Sequence, residues 1–69
     1  GLRYGIERDR AQLVAAIELY TLQRSRPPGT LQDLLLDDWI PTETLARCRE
    51  QFEYRVTGRR WSLEERAES

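Results

Sequence analysis

Histidine, methionine and lysine are all missing from this 69-residue chain, and cysteine occurs once, as Cys48. With no imidazole and a single thiol, an internal disulfide, a Cys/His zinc site and any histidine-based triad are excluded. Cys48 stands between Arg47 and Arg49 but has no histidine or second cysteine to work with, so it reads as a small buried apolar residue. No apolar run approaches the roughly 18–20 residues that span a bilayer, and no signal-peptide core is present. The lack of methionine leads us to expect that Gly1 is not a translation start and that upstream sequence, with room for an anchor, precedes it. Neither sign of charge dominates: 11 basic residues, every one arginine, face 12 acidic ones for a net charge of −1. That balance suits neither a counter-ion to DNA nor an anionic bilayer. Phosphate loops, dinucleotide fingerprints, acidic calcium loops and heptads are absent as well.

What is present is 39% apolar residues, enough for one small core and a single domain over residues 1–69. Leu2 to Gln23 reads as one long helix, with Leu2, Ile6, Leu13, Ala16, Ile17 and Tyr20 on one face and Val14 beside them. Pro27 disfavours helical geometry at Arg26, and Pro28-Gly29 continues the break. A second apolar stripe, Tyr4, Ala11, Ala15, Leu19 and Leu22, lies roughly opposite the first. A helix packed on one side only has no need of it. We expect the second helix to wrap round and cover this stripe; left open, it becomes a partner face.

Residues 30–39 read as that second helix, started by the near capping box Thr30-Leu31-Gln32-Asp33 and stopped before Pro41. Leu31, Leu34 and Leu35 form its inner edge, with Leu36 beside them. Asp37 and Asp38 oppose the dipole at its C-terminal end, which points to a short helix or to something positive facing the two carboxylates. Adjacent carboxylates on a helix end diverge, so the pair does not suit two-carboxylate hydrolysis, and we carry it as a partner contact together with Leu19 and Leu22. Residues 41–51 read as a loop or a short helix that Thr42 caps.

The period then changes from helical to alternating. Phe52, Tyr54 and Val56 alternate with Glu53 and Arg55, and Trp61 and Leu63 with Arg60 and Ser62, which predicts a hairpin over 52–63 around Gly58. A loop at Thr57-Gly58 pairs Tyr54 with Trp61, and one at Gly58-Arg59 pairs Val56 with Trp61; both keep the apolar set on one face. Residues 64–69 read as a loose tail. Arg59-Arg60-Trp61 is the nearest approach to a nucleic-acid surface, but alternation turns Trp61 inward, away from a stacking role. Charge is segregated: residues 1–30 sum to +2, 31–45 to −4, 46–60 to +3 and 61–69 to −2. Solvated faces explain that pattern, as would docking of the acidic segment on the basic hairpin end or head-to-tail contact between copies.

The predicted class is therefore α+β: a long N-terminal helix, a short second helix, then a C-terminal antiparallel hairpin packed on the first helix. The run Ala11-Gln12-Leu13-Val14-Ala15-Ala16-Ile17-Glu18-Leu19-Tyr20-Thr21-Leu22, followed by Ser25-Arg26-Pro27-Pro28-Gly29-Thr30-Leu31-Gln32-Asp33-Leu34-Leu35, resembles the stem helix, turn and second helix of type IV pilin-like proteins, especially type II secretion major pseudopilins. Asp38-Trp39-Ile40-Pro41 is similar to that family's exit from the second helix, and Phe52 to Val56 with Gly58 to Leu63 to its first hairpin. The Asp-Pro-Trp-Gly element and the calcium loop of the family have no counterpart here, so the resemblance implies no metal site. It implies a structural, non-enzymatic head without cofactor, acting by protein contact or self-assembly. The head would be displayed in the periplasm or at the cell surface and held at the inner membrane only by an N-terminal segment absent from this chain. The residues point equally to an intracellular α+β adaptor that binds a partner protein through the exposed helix stripe.

Overall fold

The computed structural model describes the backbone of residues 2–66 and the side chains of residues 5–66. The expectations for Leu2 and Tyr4 as face residues, and for the tail at 67–69, therefore lie outside the described side chains or residues. Helix α1 runs Leu2–Arg24, one residue beyond the predicted end. Its stop comes before the prolines act. Ser25 adopts φ 61 and its N–H donates to the Thr21 carbonyl at 2.8 Å, a left-handed cap that glycine usually supplies. Pro27 and Pro28 then hold the chain extended, and both are buried.

The second helix differs from expectation. Helical structure is confined to a 3-10 turn at Leu31–Leu35, built on i→i+3 bonds such as Leu36 N–H to Asp33 O at 3.3 Å. So few residues lie between Gly29 and Pro41 that there is no length over which α-helical propagation offsets nucleation. Asp33 takes the capping place assigned to it: its carboxylate accepts from the Gly29 N–H at 3.1 Å and the Thr30 N–H at 3.4 Å. The segment closes in a Schellman turn. Trp39 N–H donates to Leu34 O at 3.1 Å and Asp38 N–H to Leu35 O at 3.3 Å, with Asp38 left-handed at φ 55. Leu31 and Leu34 are buried and Leu35 is half-buried, whereas Leu36 is 74% exposed and contributes nothing to the inner edge.

The helix of full α geometry is α2, Thr42–Gln51, in the segment where loop and short helix had been equally open. Thr44, Leu45 and Cys48 recur on its buried side. Strands β1 (Phe52–Thr57) and β2 (Arg60–Glu65) form the antiparallel hairpin, two residues longer at its end than predicted. The register pairs Val56 with Trp61 and Tyr54 with Leu63, which selects the turn at Gly58-Arg59; Gly58 sits at φ 61. Tyr54 and Trp61 are diagonal neighbours with ring centroids 6.2 Å apart.

The chain is α+β, with the hairpin packed on the helices. One core joins Leu13, Ile17 and Tyr20 of α1 with Leu34, Ile40, Leu45, Cys48 and Phe52. Tyr54, Trp61 and Leu63 pack against it from the hairpin. Helix α2 lies between, touching α1 on one side and β1 on the other. Tyr54 Oη donates to the Pro28 carbonyl at 2.6 Å, so the hairpin also clamps the buried proline turn that ends α1. Among the described residues no helix is long and apolar enough to cross a membrane.

Candidate interaction surface

One side of α1 carries the core and the other carries the stripe. Successive residues turn about 100° round the helix, so Ala11, Ala15 and Leu22 fall opposite Leu13, Ile17 and Tyr20. The expected cover over this stripe is not there. Ala11 and Ala15 are exposed, Leu19 is 46% exposed and Leu22 79% exposed. The second helix was to supply that cover, but the segment is too short and lies with α2 on the core side. An open apolar stripe on a helix is what a partner face requires.

Asp37 and Asp38, the other two predicted contact residues, do not join this patch. The Asp37 carboxylate accepts a hydrogen bond from Arg24 Nη2 in an exposed ion pair, and Arg24 lies 5.2 Å over the Tyr20 ring. Arg24 and Leu22 are about 200° apart round α1, which sets this pair away from the stripe. The pairing raises the Arg24 pKa, first through the hydrogen bond to Asp37. The positive charge expected near the acidic segment is thus on α1, not on the hairpin. Asp38 is exposed and its place is explained by the left-handed turn it occupies. The predicted site therefore resolves into a stripe, Leu19 and Leu22, and a separate turn.

Asp9 is the polar residue the sequence reading passed over. It lies four residues before Leu13, within the core face, and is only 7% exposed. Arg47 of α2 holds it by two bonds, Nε to Oδ2 at 3.0 Å and Nη2 to Oδ1 at 3.2 Å. Arg47 also reaches the Thr44 hydroxyl at 3.4 Å, and the Cys48 thiol lies 3.6 Å from the Asp9 carbonyl. The signal was readable: an acidic residue inside an apolar stripe demands a cationic partner, though not a particular one. Cys48 itself is fully buried, as expected. Burial, with the Asp9 carboxylate adding to it, pushes its thiol up to about 11, so the thiol is neutral and poorly nucleophilic at neutral pH.

Two open clefts border these elements. One, of about 590 Å³, lies between the Gly29-Thr30 turn and the α2–β1 junction, beside Arg49 and Arg66. The other, of about 530 Å³, runs along the first half of α1 to Glu65. Comparison with protein-family models, with curated proteins and with solved structures finds no match to this chain in any of the three.

Proposed function

We propose that this chain acts by protein contact rather than by chemistry, as the head of a pilin-like or pseudopilin-like subunit that assembles through its first helix. The observation that carries this reading is the open stripe of α1, with Leu19 and Leu22 exposed on a helix whose opposite side holds the whole core. A helix with one side committed to a head and the other presented to neighbours is what such a stem needs. The order of long helix, short helical segment and hairpin supports the same reading. On this proposal the head is displayed outside the inner membrane, and the anchor belongs to sequence before Gly1.

The decisive experiment is to read the gene upstream of Gly1. About 20 apolar residues leading into α1, preceded by a prepilin-type cleavage motif, is the expected result. A globular domain in that position would overturn the pilin-like reading and favour an adaptor that uses the same stripe.

A further inference from the structure

The groove of about 530 Å³ beside α1 is distinct from the Leu19/Leu22 stripe and is built from both sequence ends of the fold. Ile6, Val14 and Ala15 line it with apolar surface, Ile6 and Val14 being half-buried. Glu7, Glu18 and Glu65 stand round it against one guanidinium, Arg10, which leaves the rim two charges negative. Strand register brings Glu65 there. Trp61, Leu63 and Glu65 share one face of β2, and Glu65 lies opposite Phe52, so the inward row ends in a carboxylate.

The other end of the same strand is cationic. Arg59 and Arg60 are exposed at the turn, and among the described residues neither forms an ion pair. Arg55, by contrast, is already held by Glu53 at 2.6 Å. Gly58 keeps the turn slim, with no side chain to obstruct an approach. Five residue steps at roughly 3.3 Å each place Arg60 about 17 Å from Glu65, so the two poles of one molecule do not meet.

We infer that these poles form one contact between copies: the Gly58-Arg59-Arg60 tip of one chain enters the acidic groove along α1 of the next. The occupant is a second copy because two unpaired guanidiniums match a rim two charges negative, and because the tip cannot reach the groove of its own chain. The contact is heterologous, using a different surface on each partner. Every copy keeps a free tip or a free groove, so association propagates along a line unless its rotation closes a ring. The choice of a second copy rests on the reading of the chain as an assembling subunit, and the contact adds where the copies touch.

Sedimentation velocity at roughly 20 mM and roughly 500 mM salt tests it, because exposed charge pairs are screened as salt rises. The parent chain is expected to associate at low salt and to dissociate at high salt. Arg59→Glu/Arg60→Glu reverses the tip, and Glu7→Arg/Glu18→Arg reverses the groove. Each is expected to weaken association at least about tenfold through like-charge repulsion, and their equimolar mixture to restore it. A parent chain monomeric at low salt, or association indifferent to both reversals, overturns the inference. So does a mixture that stays monomeric while circular dichroism shows both variants folded. If Leu22→Asp abolishes association and the reversals do not, this contact is wrong while assembly through the stripe stands. If the reversals act as expected but the upstream gene encodes a globular domain, the contact stands and the pilin-like reading falls.

Discussion

The two faces of α1 carry similar apolar sequence and meet opposite fates. Leu13 and Ile17 are fully buried and Tyr20 is 5% exposed, while Leu19 is 46% and Leu22 79% exposed. The buried face even carries the more awkward residue, Asp9, whose carboxylate is neutralised only by an arginine 38 residues away. Apolar periodicity thus identifies faces that can be buried, and the number of elements on hand decides which one is. After α1 this chain supplies one helix, one 3-10 turn and one hairpin, and all of them gather on a single side.

Tyr20→Ala should break the comparison most sharply. It is expected to cost about 3–5 kcal/mol in urea denaturation, by analogy with large aromatic truncations, whereas Leu22→Ala should stay within about 0.5 kcal/mol. A Tyr20→Ala chain that melts within a few degrees of the parent would mean that the inner face is not the core. Next comes Asp9→Ala, which strips Arg47 of both acceptors and should cost about 1–3 kcal/mol. Glu18→Ala on the outer face is its control, and equal effects would refute the clamp. Tyr54→Phe removes the hydroxyl from the buried Pro28 carbonyl and should cost about 0.5–1.5 kcal/mol, with the hairpin otherwise intact.

Stability should also fall in alkali. Burial pushes the Cys48 thiol from 9.0 to about 11 and the Tyr54 phenol from 10.0 to about 12. Both groups are neutral when protonated, so the unfolded chain releases their protons first. Their contribution is complete below the unfolded values and is lost as pH rises through the folded ones, between pH 9.0 and about 12. Denaturation midpoints measured across that range should decline, and Cys48→Ala should flatten the lower part of the decline. The smallest expected effect is a gain: Ser25→Gly relieves a left-handed residue and should add about 0.5–1 kcal/mol, visible as a slightly raised melting temperature.

Much of the fold was legible because it is local. The α1 core face, the prolines after it and the alternating strands each follow from spacing within a dozen residues, and Leu13, Ala16, Ile17 and Tyr20 are buried as read. The second helix was misjudged in extent because a capping signal marks a start and carries no information on length. Asp33 caps what turned out to be a 3-10 turn. Helix α2 was underread because its buried side rests on Thr44, Leu45 and Cys48, a faint stripe among charged residues. Of the candidate contact residues, Leu19 and Leu22 were placed correctly as a second stripe, but whether it was covered was not written there. Asp37 required a partner that only folding reveals, Arg24, and Asp38 looked like a charge where it is a backbone turn.

By itself the sequence determined the α+β class, the limits of the long helix and the alternation of the hairpin, since dihedral preference and hydrophobic period act between near neighbours. Tertiary structure alone decided the hairpin register, the Asp9–Arg47 clamp and the Tyr54–Pro28 tie. It also decided that α1 would be sheltered on one side only. These are contacts between segments distant in the chain, where several pairings satisfy every local rule and competition for one small core selects among them.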